Sequence, residues 1–292
     1  MKMSLLSVLA LERCHNPYCR YHTARSRLVP GRGITFNEEW FCCPSCFEAG
    51  VAAQCASFLA DMAPPTPPKA HRMPLGLLML SRGWIDLATL RRGLQEHAAG
   101  KGRIGEVLRR MGAVTEQQVT SAVAAQWQCP VFPLRDRPGA LQYAQNLPLG
   151  LLERYRALPV HFVTSNRLLL VAFAQEVSST LLYATQEMLG CTAEACIADE
   201  SAILQGLAFA RANSAKSEFL LPRNGDPADI GRSAAGYAQK LSATHGRLLL
   251  CGQHLWLRLT RKDQVSDFLF PIPSRTQHRE KRSILKSSTP KA

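Results

Sequence analysis

Residues 74–97 read PLGLLMLSRGWIDLATLRRGLQEH, and residues 103–126 read RIGEVLRRMGAVTEQQVTSAVAAQ. The two stretches align without gaps at an offset of 29 residues. Glycine or aliphatic residues coincide at Gly76/Gly105, Leu78/Val107, Gly83/Gly112, Ile85/Val114, Leu90/Val119 and Leu94/Val123. A repeat at a fixed offset indicates that one supersecondary unit occurs twice and that the copies pack on each other. The sequence therefore predicts a duplicated unit in the middle of the chain.

Each copy has the pattern of a helix, a turn and a second helix. Gly83 and Gly112 stand where the first helix should end, since a residue without Cβ can take the left-handed cap conformation. Asp86 and Thr115 are suitable caps for the second helix, and Thr115 with Gln118 matches a capping box. Apolar residues then recur at helical spacing, at positions 87, 90 and 94 and at 119 and 123. Two such hairpins are expected to form a small bundle.

The flanking sequence extends this pattern. A five-residue spacer, AAGKG at 98–102, separates the copies, and further motifs follow: QWQCPV (126–131), LP (147–148), LERY (152–155), LPV (158–160) and RLLLVA (167–172). Over about residues 71–210 the chain resembles the amino-terminal, MshEN-like domain of type II secretion and type IV pilus assembly ATPases. The resemblance implies an α+β fold, with the tandem motifs at 71–130 and a small α/β subdomain at 131–210. We expect a strand at 167–172, a helix at about 178–189, a strand at 192–197 and a helix from Glu200.

In some of those ATPases this domain binds cyclic di-GMP, so the resemblance implies a dinucleotide site here. A cyclic dinucleotide has twofold symmetry, and a duplicated motif could hold its halves in equivalent pockets. The glycine at each helix start would let backbone amides approach a phosphate, and an arginine at the motif start could stack on or hydrogen-bond a guanine. The predicted ligand-binding residues are Arg72, Leu75, Gly76, His97, Arg103, Ile104, Gly105 and Gln126.

The first copy departs from the family pattern at both ends. Pro74 stands where the arginine should be and His97 where the glutamine should be, although Arg72, two residues upstream, could compensate. Loss of one charged hydrogen-bonding anchor typically costs about 1.5 to 3 kcal/mol. Two interpretations therefore remain open: a domain that binds cyclic di-GMP, and a helical scaffold that keeps the fold without the ligand.

Five cysteines crowd into residues 14–46, in a chain that we expect to be cytoplasmic and therefore free of disulfides. Cys14-x4-Cys19 and Cys43-x2-Cys46 have the spacing of a four-cysteine zinc site, in which a closed thiolate shell is structural. A hairpin is expected between the pairs and a helix after Cys46, as in a treble-clef or zinc-ribbon module. His22 or Cys42 could replace one ligand, and the alternative is a set of reduced, unliganded thiols.

Composition divides the rest of the chain. We expect a zinc-binding module at 1–62, a proline-rich linker at 63–70, a small C-terminal α/β unit at 232–273 and a disordered basic tail at 274–292. The formal net charge of +13 indicates attraction to anionic partners without naming one. The apolar run near the start is too short for a signal peptide followed by a cleavage site and is interpreted as a core segment. No stretch is long and apolar enough to predict a membrane span.

The motifs of common catalysts are missing. The sequence contains no Gly-x4-Gly-Lys-Ser/Thr loop for ATP phosphates, no Gly-x-Ser-x-Gly elbow and no His-Glu-x-x-His helix. We therefore expect a non-catalytic regulator or adaptor of secretion, pilus or motility systems, with a cyclic dinucleotide or a protein of that machinery as partner. The alternative from another class is a zinc-dependent nucleic-acid-binding regulator. A hydrolase without recognisable motifs is the third hypothesis.

Overall fold

The computed structural model describes residues 11–20, 24–26, 33–60, 72–213, 218–220 and 226–272. Its helices are α1 (Pro44–Ala60), α2 (Leu75–Ser81), α3 (Leu87–Ala98), α4 (Ile104–Arg110), α5 (Glu116–Trp127), α6 (Leu149–Tyr155), α7 (Ser179–Leu189), α8 (Glu200–Ala212) and α9 (Pro227–Lys240). Its strands are β1 (Leu11–Arg13), β2 (Ala24–Ser26), β3 (Ile34–Phe36), β4 (Glu39–Phe41), β5 (Ala157–Val163), β6 (Leu168–Phe173), β7 (Thr192–Ile197), β8 (Glu218–Leu220), β9 (His245–Cys251), β10 (His254–Arg261) and β11 (Gln264–Pro271).

The described part of the chain is a mixed α+β structure, as the sequence predicts. Four features of the sequence analysis lie outside the described residues: the apolar run before residue 11, His22, the proline-rich linker at 63–70 and the basic tail at 274–292. Among the helices that the structure describes, none combines the length and the apolar character that crossing a bilayer requires.

The chain divides into two compact units. Of the described residues, those from 72 to 213 form one, which we call the central domain, and those up to residue 60 and from 218 onward together form the other, which we call the composite domain. The sequence analysis treats 1–62 and 232–273 as separate modules, and here the structure differs. β3 and β4 of the first and β9–β11 of the second lie in one six-stranded sheet with the order β4-β3-β9-β10-β11-β8, in which β3 runs parallel to β9.

The physical reason for the shared sheet is the small size of each part. β3 and β4 are three residues long, and a two-stranded hairpin of that length cannot bury enough apolar surface to be stable alone. In the composite domain, α1 and α9 pack against each other and cover one face of the sheet. Its core draws from both ends of the chain: Phe36, Phe41, Phe47 and Val51 from the first, and Ile230, Leu248, Leu257 and Phe268 from the second.

A buried ion pair lies on the other face of the same sheet. Arg258 of β10 and Asp267 of β11 are directly opposite in the antiparallel register, and their side chains are only 10% and 5% exposed. The Arg258 guanidinium donates two hydrogen bonds to the Asp267 carboxylate, of 2.7 and 2.9 Å. The indole nitrogen of Trp256 donates a third, of 2.8 Å. The carboxylate is thus fully occupied by donors from β10.

The central domain contains the tandem helices followed by a three-stranded sheet. In the bundle, α2 to α5 enclose an apolar cluster that includes Met79, Ile85, Leu90, Leu108 and Val114. The sheet has the order β5-β6-β7, with β5 antiparallel and β7 parallel to β6. The strand expected at 167–172 is β6, the helix expected at about 178–189 is α7, and the following strand and helix are β7 and α8.

Candidate ligand-binding cleft and metal centre

The two copies of the repeat have the same local geometry. Gly83 and Gly112 close the first helix of each copy with φ of +68° and +71°, values that few residues other than glycine adopt readily. The Asp86 carboxylate accepts a hydrogen bond of 2.7 Å from the backbone N–H three residues on, and the Thr115 hydroxyl does the same at 3.2 Å, with Gln118 completing a capping box. The duplication predicted from the sequence is therefore structural as well.

The first glycine of each copy, Gly76 or Gly105, has equivalent neighbours in the structure. A Cβ on Gly76 would meet Leu90 at 2.5 Å and Ile104 at 3.9 Å, whereas a Cβ on Gly105 would meet Val119 at 3.0 Å and Leu75 at 3.2 Å. Leu90 with Val119, and Leu75 with Ile104, are equivalent residues at the 29-residue offset. The starts of α2 and α4 therefore face each other across an approximate twofold relation. Both glycines are buried and serve helix packing.

His97 and Gln126 also occupy equivalent places. The Gln126 side-chain amide donates to the Met73 carbonyl at 2.8 Å, and His97 Nδ1 lies 2.7 Å from the Gly102 carbonyl. Met73 and Gly102 immediately precede the two motif starts, so each contact joins the end of one copy to the beginning of the other. Since a carbonyl only accepts, Nδ1 of His97 carries the hydrogen. The departure from glutamine to histidine thus preserves the structural contact.

A cleft of about 520 Å³ opens beside the start of α4 and the end of α5. Six of the eight predicted ligand-binding residues line it: Arg72, Leu75, Arg103, Ile104, Gly105 and Gln126. His97 lines a neighbouring cleft of about 380 Å³, which also contains Arg103. Gly76 is not among the lining residues of the larger cleft and packs under Leu90 instead. Arg103 is common to both clefts.

The two arginines of the larger cleft are held in place by neighbouring side chains. The Arg72 guanidinium lies 3.3 Å above the ring centre of Trp127, an arrangement favoured by cation–π attraction. The Arg103 guanidinium donates to the side-chain oxygen of Gln175, and the Gln175 amide donates to Glu200 at 2.9 Å. The α/β subdomain therefore fixes the orientation of Arg103.

Sequence reasoning missed Trp127, Gln175 and Glu176, which also line this cleft. Trp127 directly follows Gln126, the last residue of the second copy. Its position beside a predicted ligand-binding residue is the sequence signal that could have identified it. Gln175 and Glu176 follow β6 at the end of an apolar strand. Nothing local relates that position to the tandem motif, since the contact spans 72 residues of sequence.

A second polar network joins α5 to the α/β subdomain. The Glu116 carboxylate accepts hydrogen bonds from the Ser201 backbone N–H at 2.9 Å and its hydroxyl at 2.8 Å, and it forms an ion pair of 2.5 Å with Arg135. Burial alone would raise the pKa of Glu116. The hydrogen bonds from Ser201 and the positive charge of Arg135 outweigh burial, so the pKa lies below its ordinary value of 4.5.

This carboxylate predicts an acid-sensitive central domain. A depressed folded-state pKa contributes stability that is present above pH 4.5 and is lost as the pH falls through the folded value. We expect Glu116→Gln to lower stability at pH 7 by about 1.5 to 3 kcal/mol and to flatten the decline below pH about 5. Hydrogen exchange of α5 and α8 peptides over a pH series measures both effects. Glu194→Gln, at an exposed position of β7, is the control, and parallel pH profiles for Glu116→Gln and the wild type would contradict the assignment.

The cysteine cluster of the composite domain has the composition of a metal centre. The Sγ atoms of Cys14, Cys19, Cys42 and Cys46 all lie within 4.8 Å of one another. Cys19 and Cys42 are 3.6 Å apart, and Cys42 and Cys46 are 3.8 Å apart. Four cysteine sulfurs at this spacing could hold a metal ion, and the sequence prediction placed three of the same cysteines together.

The fourth member differs from the prediction. The sequence analysis assigns Cys43 from the Cys-x2-Cys spacing, with Cys42 as an alternative, whereas the structure groups Cys42 with the other three. Cys42 directly follows β4, and its backbone N–H donates to Cys14 Sγ at 3.5 Å. Cys46 lies in the first turn of α1, where the Asn16 amide donates to its sulfur at 3.3 Å. Burial raises the pKa of the Cys46 thiol, and the neighbouring cysteines add to that effect.

Comparison with known proteins gives structural matches only. No protein-family model matches the sequence, and no curated protein matches it. The match to a solved structure of MshE with cdg covers 47% of this chain and 99% of the MshE chain, with 25% identity and a TM-score of 0.38. The N-terminal domain of XpsE covers 46% of this chain and 91% of its own at 19% identity and a TM-score of 0.34. In another crystal form of the same domain, the match covers 44% of this chain and 89% of the XpsE chain, with 22% identity and a TM-score of 0.28.

The chain thus resembles MshEN-like domains in solved structures, as the sequence motifs predict.

Proposed function

We propose that the central domain binds a cyclic dinucleotide, with cyclic di-GMP as the ligand, and that the chain is a non-catalytic regulator or adaptor in secretion, pilus or motility machinery. The observation that carries the ligand proposal is the convergence of Arg72, Arg103 and Gln126 on one cleft of about 520 Å³. Small-molecule sites typically have volumes of about 300 to 1,000 Å³. The place in the machinery follows from the motif resemblance over residues 71–210.

The chemistry of the cleft suits a guanine-containing phosphodiester. The Arg72 guanidinium is held over the Trp127 ring, and an arginine in the cleft can stack on or hydrogen-bond a purine base. Arg103 donates one of its five N–H groups to Gln175, and the other donors of its guanidinium lie beside the cleft for a phosphate or for the acceptor edge of guanine. Leu75 and Ile104 supply the apolar floor between the two copies.

The departures in the first copy are compatible with this ligand. Pro74 stands where the family pattern has an arginine, but Arg72 brings a positive charge into the same cleft as Arg103. His97 keeps the contact to the opposite motif start that Gln126 makes on the other side. Equivalent residues of the two copies thus make equivalent contacts, and this approximate twofold symmetry supports a ligand that itself consists of two equivalent halves.

Isothermal titration with cyclic di-GMP tests the proposal. Arg103→Ala removes a charge-assisted hydrogen bond worth about 1.5 to 3 kcal/mol, so we expect affinity to fall by about 10- to 100-fold. Arg92→Ala removes an equal charge from an exposed position on α3, outside the cleft, and is expected to bind like the wild type. Absence of heat from the wild type at about 100 µM ligand, a limit near 5 to 6 kcal/mol of binding free energy, would contradict the ligand while sparing the fold.

The alternative regulator that binds nucleic acid is tested in the same preparation. A nucleic-acid complex held by phosphate contacts weakens steeply as salt rises. A salt-dependent gel shift with no response to cyclic di-GMP would favour that alternative.

We also propose that the cysteine cluster binds a structural zinc ion through Cys14, Cys19, Cys42 and Cys46. Support comes from the chemistry of the donor set, because four thiolates satisfy the tetrahedral preference of zinc and leave no position for a catalytic water. About one zinc per chain is expected from metal analysis of the purified protein.

A further inference from the structure

We infer that Cys42, rather than Cys43, completes the metal site, and that the bound metal controls the folding of the C-terminal strands more than 200 residues away in the sequence. The inference rests on the zinc proposal above and extends it in two ways. It gives the geometric ground for Cys42 over Cys43 as the fourth ligand, and it makes the metal the element that joins the two ends of the chain into the composite domain.

The sulfur distances favour Cys42. A zinc–sulfur bond of about 2.3 Å in a tetrahedral site places neighbouring sulfurs about 3.8 Å apart. The sulfur of Cys42 lies 3.6 Å from that of Cys19 and 3.8 Å from that of Cys46, so two of the six edges match such a tetrahedron, and all four sulfurs lie within 4.8 Å of one another. Cys43 is not a member of that group. Its thiol hydrogen-bonds with Cys42 and Cys46 at the edge of the group, and its carbonyl accepts from the Phe47 N–H at 3.0 Å.

The ligands surround the β3–β4 hairpin. Cys14 and Cys19 precede it, Cys42 follows it directly, and Cys46 belongs to the first turn of α1. Asn37 and Glu38 form its two-residue turn with φ of 45° and 73°, which is the conformation of a tight type I′ turn. A metal held at the base of the hairpin therefore fixes both strands and the beginning of α1 at once.

The tip of the same hairpin is attached to β9. The Asn37 side chain accepts from the Leu248 N–H at 3.0 Å and donates to the Leu248 carbonyl at 3.4 Å, as a strand neighbour would. Its backbone N–H donates to the Gly246 carbonyl at 3.0 Å, and the Thr35 N–H donates to the Thr244 carbonyl at 3.0 Å. Four hydrogen bonds therefore extend the parallel pairing of β3 with β9 beyond the two residue pairs of the ladder.

α1 forms the second connection. A Cβ on Gly231 of α9 would lie 2.6 Å from the Glu48 carbonyl oxygen and 3.1 Å from the Ala52 Cβ, so the two helices cross with their backbones nearly in contact. Phe47, which is fully buried, packs edge-on against Phe36 with 5.3 Å between ring centres. It also lies against Gly246 of β9. Displacement of α1 would therefore expose the core beneath β9 and β10.

The metal is the strongest local constraint in this arrangement. Strands of three residues cannot hold their own register, whereas the binding free energy of a structural zinc site stabilises the fold that forms it. Metal binding at residues 14–46 therefore stabilises β9–β11 through the hydrogen bonds of Asn37 and the packing of Phe47. Without the metal, β9 is expected to lose its pairing with β3, and β9–β11 the core contacts that Phe36, Phe41, Phe47 and Val51 supply.

The ligand assignment is tested by metal content. Purified Cys42→Ser is expected to retain less than about a tenth of the wild-type zinc, whereas Cys43→Ser should retain about one zinc per chain, since a closed site needs four thiolates. The two variants are chemically identical substitutions at adjacent positions. The opposite pattern would overturn the assignment, and a wild type without metal would overturn the zinc proposal itself.

The coupling is tested by peptide-resolved hydrogen exchange on the full chain before and after chelation. We expect exchange in β9–β11 to accelerate at least tenfold on zinc removal, while β5–β7 of the central domain stay unchanged as the internal control. Asn37→Gly keeps the positive-φ turn but removes the side-chain bonds to Leu248, so it should retain zinc and still accelerate exchange in β9. Unchanged exchange of β9–β11 after verified zinc loss would refute the coupling while leaving the metal site intact.

Discussion

Asp267→Ala is expected to lower the free energy of unfolding of the composite domain by about 3 to 5 kcal/mol, because removal of one partner leaves an uncompensated buried charge. Arg258 would keep its guanidinium at a position that is 10% exposed, without the carboxylate that accepts two of its hydrogen bonds. The Trp256 indole N–H would lose its partner as well. The substitution is therefore expected to lower the free energy of unfolding by more than the intact ion pair contributes to it.

Two matched variants separate this mechanism from simple loss of packing. The double variant Arg258→Met/Asp267→Leu removes both charges and is expected to recover most of the lost stability, since replacing a buried pair by apolar residues is often neutral. Asp263→Ala removes a carboxylate from the exposed β10–β11 turn and should have almost no effect. Hydrogen exchange of β10 and β11 peptides measures the local loss. Equal stability of the single and double variants would contradict the buried-charge explanation.

Phe47→Ala is expected to destabilise the same domain by about 3 to 5 kcal/mol, as deletions of buried phenylalanine rings typically do. The ring has no exposed surface and contacts both Phe36 and Gly246. Because it lies between the N-terminal hairpin and β9, its loss should accelerate exchange in β9–β11 as much as in α1.

Phe58→Ala is the control for this prediction. Phe58 belongs to the same helix and packs against the same core, but it is only partly buried, so a smaller loss is expected. Zinc content should remain near that of the wild type in both variants, which distinguishes a packing defect from metal loss. Acceleration confined to α1 would show that the two ends of the chain are less strongly coupled than proposed.

The central domain could be predicted from the sequence because its signals are local. Glycine at the ends of α2 and α4, caps at Asp86 and Thr115, and apolar residues at helical spacing each act within a few residues. The duplication then supplied the long-range information, since equivalent positions must pack equivalently. That is why six predicted residues meet in one cleft.

The composite domain could not be predicted in the same way. The pairing of β3 with β9 has no local signature, because a three-residue strand has no register of its own and its partner lies 211 residues away at Asn37–Leu248. The choice between Cys42 and Cys43 also depends on which sulfur the hairpin and α1 orient toward Cys14 and Cys19. Spacing alone favoured the familiar Cys-x2-Cys pair. Gln175 was missed for a similar reason, since its contact with Arg103 depends on how the subdomain docks onto α4 and α5.

The shared sheet sets a timing problem during translation. Ribosomes add about 5 to 20 residues per second, so Asn37 emerges about 10 to 40 s before the backbone of Leu248 that it will bind. All four cysteines of the metal group are made at the outset. An ion captured early would preserve the nascent hairpin, and shield its aromatic residues from aggregation, until synthesis delivers the strands that cover them.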